Sequence, residues 1–380
     1  MSNTTAIKIC KQCVMDTTDS KITFDAEGVC DHCRGFEAAV LPQWNYGKGR
    51  EKELGDIVEK IKASGKGKEY DCILGMSGGA DSSYMLHVAV KELKLRPLVF
   101  HVDGGWNSDI AVSNIHCMIE KLGLDLFTEV IDWENMKDFQ LGYFKSGLSN
   151  IDIPQDHAFV ATLYNFSLKH KIKYILNGGN ISTECVRNPK EWVYYGTDMK
   201  QVNYIRKHFC DTTLDHYPFS SVLRHKFYLK FLRGVQVVKL LDLVEYNKPS
   251  AMKFLEEEYG WRPYPRKHFE SRFTRFYEGY WLPKRFGYDT RKVQYSSLIL
   301  TNQMTREEAL ELLKKPEMTE EEAQQDMRYI ASKLDITVEQ LLEYLNAPLK
   351  TYQDYPNQEK MFDIGAKILN KLGLEGTIKR

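Results

Sequence analysis

Residues 71–85 read DCILGMSGGADSSYM. The apolar run Cys72–Met76 has the length of a buried strand, and it breaks on Gly78 and Gly79 before the helical pattern SYMLHVAVKELKL begins. Strand, glycine turn and helix form the layout of a phosphate-binding loop, yet this loop has no lysine. A Walker A loop needs GxxxxGK followed by Ser or Thr, and a dinucleotide fingerprint needs GxGxxG. The stretch Ser77-Gly78-Gly79-Ala80-Asp81-Ser82-Ser83 matches neither. It offers a close backbone turn, three hydroxyls and the start of a helix, where unpaired amides favour an anion. Asp81 stands where it can cap the helix or hold a metal-bound phosphate.

The same alternation continues outward from the loop. EKELGDIVEKIKAS before it predicts an amphipathic helix with Leu54, Ile57, Val58 and Ile61 on one face. After it, RPLVFHVD predicts a second strand, IAVSNIHCMIEKLGL a helix, DLFTEVID a third strand and KIKYILNGGN a fourth, this last after a helix around 157–169. Strands alternating with helices predict an α/β fold with a doubly wound, mostly parallel sheet. The polar and glycine clusters follow the carboxyl ends of strands, where such sheets bind ligands. The expected organisation is a cysteine-rich knuckle over 1–45, the sheet domain over 46–240, and a basic and aromatic segment with a helical region over 241–380.

Composition sets outer limits. The 380 residues carry 52 Lys and Arg against 52 Asp and Glu, and this balance speaks against a large nucleic-acid-binding surface. No apolar run approaches a membrane span, so no membrane insertion is expected, and MSNTTAIKICKQC lacks the apolar core of a secretory signal. The expected compartment is the cytoplasm, where most thiols stay reduced.

Half of the eight cysteines fall in the first 33 residues. Cys10 and Cys13, then Cys30 and Cys33, form two CxxC knuckles that can close a tetrahedral four-sulfur site. Zinc suits it best, and an iron–sulfur cluster uses similar ligands. A closed site leaves no open coordination position, which implies a folding role. The insert between the pairs predicts a short hairpin turning on AEG, and His32 is expected at the surface.

SGGADSS resembles the signature of the PP-loop ATP pyrophosphatases, the adenine nucleotide alpha hydrolase-like superfamily. The resemblance implies cleavage of ATP between its α- and β-phosphates, adenylation of a carbonyl oxygen and displacement of AMP by a nucleophile. It implies that Ser77, Gly78, Gly79, Asp81, Ser82 and Ser83 grip the pyrophosphate portion, with Mg2+, and that His101, Val102 and Asp103 lie along the adenosine. Beyond the loop, CKQCVMDTTD with GVCDHC, HVDGGWNSDIAVSNI, ILNGGNISTE and FTRFYEGYWLPKRFGYDTRKVQYSSLILTNQMTREEAL resemble the N-acetyl sugar amidotransferases of bacterial surface-polysaccharide synthesis, over nearly the whole chain. That resemblance implies an ammonia-using synthetase subunit acting on a nucleotide-sugar, with ammonia from a separate glutaminase subunit partnered by a cyclase-like barrel subunit. In keeping with this, no Gly-x-Cys-x-Gly elbow occurs and no cysteine adjoins the N-terminus.

Further candidates follow from position. Gly178, Asn180, Ser182, Thr183 and Glu184 lie in NGGNISTE, where substrate should meet ATP; a helix-capping turn is the plainer reading of Ser182 and Thr183. The catalytic set expected is Ser77, Asp81, Ser82, Asp103, Asn180 and Glu184. Trp106 and Asn107 follow the second strand, with local packing the alternative for Trp106. Arg187, Lys200 and Arg206 are candidates for a uronate or diphosphate. Residues 262–292 carry nine Lys or Arg against three Asp or Glu among many aromatics, and Arg272, Arg275, Lys284 and Arg285 are candidates for a sugar-nucleotide diphosphate; core packing is the competing reading. Thr305, Thr319 and Thr337 each precede Glu or Gln by three residues and predict capping boxes. Two other functions compete: a tRNA thiolation enzyme, which needs partnered cysteines that Cys117, Cys185 and Cys210 do not form in sequence, and a non-catalytic nucleotide-binding module.

Overall fold

The computed structural model describes residues 7–264 and 268–371. Among the described residues five parallel strands form one sheet in the order β3-β2-β1-β4-β5: β1 Cys72–Gly75, β2 Pro97–Asp103, β3 Leu126–Val130, β4 Tyr174–Leu176 and β5 Gln236–Val238. β1 is the central strand, and its Cys72, Ile73 and Leu74 are fully buried. Alternation sends them to opposite faces. Cys72 and Leu74 pack with Val58 and Ile61 of one helix and with Met85, Ile115 and Leu255 of others. Ile73 packs with Leu98, Phe100 and Phe166 on the far face. A strand covered on both sides reads as an unbroken apolar run, as 72–76 does. The edge strand β3 is largely exposed.

The helices follow the expected alternation. α1 Asp31–Gly35 closes the cysteine knuckle, and α2 Glu51–Ser64 precedes β1. α3 Ala80–His87 follows the glycine loop and runs on through Glu92. α4 Asp109–Leu122 starts on its Ser108 cap and stops at Gly123, whose φ is +63°. α5 Trp133–Ser146 and α6 Ile153–Lys169 lead to β4; α6 begins a turn earlier than expected, with Pro154 in its first turn. α7 Ile181–Glu184 is one turn after β4, and α8 Met199–Phe209 packs on α5. α9 Lys248–Tyr259 joins the layer beneath the loop. β5 is additional to the strands read from sequence, for its three residues QVV are too short to carry a pattern.

The C-terminal region is helical: α10 Arg272–Phe276, continuing to Phe286, then α11 Arg291–Leu300, α12 Arg306–Leu313, α13 Glu320–Lys333, α14 Val338–Asn346 and α15 Glu359–Lys371. Thr305, Thr319 and Thr337 make the capping boxes their spacing predicts. Among the described residues no helix is long and apolar enough to cross a membrane. The hydrophobic clusters cross the ranges 1–45, 46–240 and 241–380. Val58 shares one with Trp261, and the knuckle cysteines share another with Val293 and Leu300.

Two sequence expectations are corrected here. Arg272, Arg275 and Arg285 are engaged inside the helical region. Asp326 is completely buried and draws both Arg272 (Nη2, 2.8 Å) and Arg275 (Nε, 2.7 Å), because a buried carboxylate needs opposite charge. Arg285 donates to the Leu345 and Pro348 carbonyls at the end of α14. The neighbouring Phe273, Phe276, Tyr280 and Trp281 are core residues. Lys284 is exposed, with Nζ 5.9 Å from the Tyr280 ring. The second correction is His32, whose side chain is 7% exposed and whose Nε2 lies 2.9 Å from the buried Asp19 carboxylate. The insert around it turns as expected, with Phe24 and Cys30 bridged antiparallel and Asp25 accepting from the Gly28 amide.

Candidate functional site

β1 leads one way to β2 and β3, whereas β4 and β5 lie on its other side. The carboxyl ends of β1 and β4 therefore flank the point where strand order reverses, the crevice in which such sheets hold ligands. The loops 77–79 and 177–180 meet there.

The first loop is built on Gly78. Its φ of +84° is a left-handed conformation, and a Cβ there would stand 2.7 Å from the Ala111 carbonyl oxygen. Three donors converge on the Gly78 carbonyl: Trp261 Nε1 at 3.0 Å, Tyr264 Oη at 3.2 Å and Asn114 Nδ2 at 3.3 Å. They fix the peptide that turns the chain into α3. Ser77 and Ser82 join hydroxyls at 3.1 Å, Ser77 Oγ accepts from the Gly79 amide, and Ser82 Oγ donates to the Gly79 carbonyl. Ser83 is fully buried and its hydroxyl has no partner among the described residues. Asp81, in the first turn of α3, accepts from Tyr246 Oη at 2.5 Å and lies 3.6 Å from Lys248 Nζ. Burial, then the Asp81 charge, holds the Tyr246 phenol well above its ordinary range, so Tyr246 stays a donor.

The second loop packs directly on the first. A Cβ on Gly178 would lie 3.3 Å from the Ser82 amide nitrogen, so glycine lets the two loops touch. Asn180 is buried and caps α7, accepting from Thr183 N at 2.9 Å and Thr183 Oγ1 at 3.2 Å. Ser182 donates to the Tyr246 carbonyl, while Thr301 and Gln303 donate to the Ser182 carbonyl. Asp242 accepts from the Ile181 amide at 2.6 Å. Asn180, Ser182 and Thr183 thus shape the turn, and Glu184 is exposed beside Gly179.

At the end of β2 the polar residues bind one another. His101 Nδ1 faces the Met76 carbonyl at 2.8 Å, an acceptor only, so Nδ1 carries the proton. Its Nε2 accepts from Asn107 Nδ2 at 3.0 Å, and that amide also donates to Asp103 Oδ1. Asp103 also accepts from the Gly105 amide at 2.7 Å. Val102 is half-buried, and Trp106 is buried, donating to Gln140. Arg187 and Lys200 are exposed outside this cluster, and Arg206 lies over the Phe219 ring.

Tyr246, Lys248, Trp261, Tyr264, Asn114 and Glu270 at the loop were not among the sequence candidates. Residues 270–272 cross the mouth of the sheet: Ser108 N donates to the Glu270 carbonyl, Arg272 N to the Trp106 carbonyl, and Asn107 bridges Ser271. Ala80, Thr183, Lys248, Trp261, Tyr264 and Glu270 help line a cavity of about 340 Å³ against the start of α3. A Mg2+-polyphosphate fits this donor set: amides at a helix start, two joined hydroxyls, an orphan hydroxyl, a carboxylate and a lysine.

The knuckle cysteines are all completely buried, and their sulfurs lie within 4.8 Å of one another. Cys10–Cys33, Cys13–Cys30 and Cys30–Cys33 are separated by 3.8, 3.6 and 3.5 Å. Four sulfurs each about 2.3 Å from one ion stand about 3.8 Å apart in a tetrahedron, so the set fits a single zinc. A multi-iron cluster, with each thiolate on a different iron, needs a wider cage. Hydrogen bonds from Cys13, Cys30 and Cys33 lower the Cys10 thiol, and those with Cys10, Cys13 and Cys30 raise that of Cys33; metal binding takes such thiols as thiolates. Arg306 clamps the Cys10 and Cys13 carbonyls from α12.

Residues 270–369 match the family described as LPS biosynthesis protein WbpG-like, C-terminal domain. No curated protein matches the chain. Among solved structures, the NH3-dependent NAD synthetase from Campylobacter jejuni is 14% identical with a TM-score of 0.28, covering 57% of this chain and 99% of that one. The NMN synthetase from Francisella tularensis is 15% identical with a TM-score of 0.28, covering 58% and 99%. The U34-tRNA thiolase NcsA from Methanococcus maripaludis, with its 4Fe-4S cluster, is 14% identical with a TM-score of 0.30, covering 90% of each. Scores this low leave the fold argument to the sheet and loop themselves. Those define the class: an α/β fold on a parallel sheet with a four-cysteine knuckle and a C-terminal helical region, an architecture consistent with the PP-loop, HUP-like type.

Proposed function

We propose that this chain is the synthetase subunit of an ATP-dependent N-acetyl sugar amidotransferase. It converts the acetamido group of a nucleotide-linked sugar, a UDP-acetamido uronic acid, to an acetamidino group. The observation that carries the reading is the SGGADSS loop at the strand-order reversal, its Gly78 peptide held by three donors and its helix start facing a cavity. The match of residues 270–369 to a lipopolysaccharide-biosynthesis domain supports a surface-polysaccharide substrate.

An amide carbon is a poor electrophile and its oxygen a poor leaving group. Attack of that oxygen on the α-phosphorus of ATP forms a C–O–P link and releases pyrophosphate. Ammonia then adds to the carbon, the C–O bond breaks, AMP leaves with the oxygen, and a proton is lost. Ser77, Ser82 and the amides at the start of α3 hold the pyrophosphate as charge develops on it. Mg2+, when bound, neutralises the leaving pyrophosphate. Asp81, fixed by Tyr246 and Lys248, is the loop carboxylate placed to hold that ion. His101 and Asp103 set the β2 turn along which the adenosine lies. Ammonia comes from a separate glutaminase with its barrel partner.

The thiols fit a thiolation enzyme poorly. Burial pushes Cys185 and Cys210 up to about 12, away from the reactive thiolate. The test supplies ATP, Mg2+, ammonia and a panel of UDP-acetamido sugars. AMP, pyrophosphate and a product one mass unit lighter are expected; sulfur incorporation into tRNA, with no sugar product, would overturn the reading.

A further inference from the structure

Glu270 carries a carboxylate oxygen with no hydrogen-bond partner among the described residues, at the place where the proposed reaction puts a polyphosphate. A Cβ built on Gly79 would lie 2.1 Å from Glu270 Oε1, so the carboxylate rests directly on the glycine loop. Its Oε2 is shut off from solvent and accepts no hydrogen bond from the described residues. A buried carboxylate oxygen left bare is costly, and native structures retain one where a partner arrives from elsewhere. The Ser83 hydroxyl, fully buried in the first turns of α3, is equally without a partner among the described residues.

The backbone delivers Glu270 to this place deliberately. Its carbonyl accepts from Ser108 N at 2.8 Å, and the next residue bridges Asn107, so the segment is stitched to the loop after β2 while the side chain meets the loop after β1. Lys248, which lines the same cavity, pairs with Asp81. A triphosphate on α3 and the Glu270 carboxylate are both anions, and they share this space only with a cation between them. Mg2+ binds in that manner, through one or two carboxylates plus substrate phosphates.

We propose that Glu270 is a metal ligand of the nucleotide site, supplying from the C-terminal region a carboxylate that bridges to the polyphosphate through Mg2+. The inference rests on the reading that ATP occupies the SGGADSS loop. It gives the C-terminal region a direct part in the site, through the residue at which its family match begins.

The test measures binding of α,β-methylene-ATP, which the enzyme cannot cleave between those phosphates, by calorimetry in metal-depleted buffer and with Mg2+. The wild type is expected to bind about tenfold or more tightly with Mg2+. In Glu270→Gln, metal-free binding should tighten as repulsion disappears and Mg2+-supported binding should weaken, so that the ratio collapses toward one. An unchanged ratio overturns the proposal. So does parallel tightening with and without Mg2+, which would make Glu270 a plug on the loop. If Glu270→Gln does not fold, Glu270→Asp keeps the charge but withdraws it by one methylene. The Mg2+ dependence should then fall, and an undiminished dependence overturns the proposal. Failure of the wild type to bind the analogue at all would instead overturn the ATP reading beneath it.

Discussion

Gly78 shows how much one residue decides in this site. Its positive φ and the Ala111 carbonyl behind it exclude any side chain, and its own carbonyl anchors Trp261, Tyr264 and Asn114. Gly78→Ala should cost about 1–3 kcal/mol, because strain and a backbone clash act together, and should abolish binding of ATP analogues. Urea melts and calorimetry check this; an unchanged midpoint with intact binding contradicts it. Asp152 gives a pH-dependent case. It is buried, accepts from Thr274 Oγ1 at 2.8 Å, and burial, then the Asp156 charge, raises its pKa well above the carboxylate range. The folded state therefore holds this proton more tightly than the unfolded chain, where Asp titrates near about 3.9. The resulting stability is full below that pH and is lost as pH rises through the raised folded value. Asp152→Asn removes the titration, so the melting temperature of the variant should gain on the wild type from acid to neutral pH. A constant difference would contradict the assignment.

At the scale of elements, the capping threonines and strands β1 to β4 were legible because their signals are local: a hydroxyl three residues before a carboxylate, or a run of apolar residues ending in glycine. β5 was not, being three residues long. The loop residues 77–83 were likewise legible, but Tyr246, Lys248, Trp261 and Glu270 reach the loop only through tertiary packing, and no spacing within one sequence joins them to it. The basic and aromatic segment misled for the same reason. Arg272 and Arg275 face Asp326, some fifty residues on, a partner no local pattern reveals. α11 is an element whose role appears only in three dimensions. Ser296 accepts from Val14 of the knuckle, Ser297 accepts from Val186 after α7, and Thr301 donates to Ser182 within α7. Ser297→Ala leaves the buried Val186 amide unpaired and should lower stability by about 1–3 kcal/mol in urea melts; an unshifted midpoint would show that α11 does not carry this load.

For the whole molecule, the knuckle is joined to the helices that brace the candidate site. Arg306, Ser296 and Lys292 bind its backbone and its Asp16, while Trp192 Nε1 donates to the Thr18 carbonyl from the segment after α7. Stripping zinc with a strong chelator should therefore lower the melting temperature of the whole chain in one cooperative transition and restore it on adding zinc back. Loss of the knuckle signal alone, with the main transition unmoved, would contradict that coupling. The central claim is that ATP is cleaved to adenylate an amide oxygen, and one isotope experiment addresses it directly. An N-acetyl sugar nucleotide labelled with 18O at the acetamido carbonyl is turned over with ATP, Mg2+ and ammonia, and the phosphorus products are analysed by mass. The account predicts that the 18O appears in AMP. Its appearance in inorganic phosphate beside ADP, or its retention in the sugar, would contradict the account.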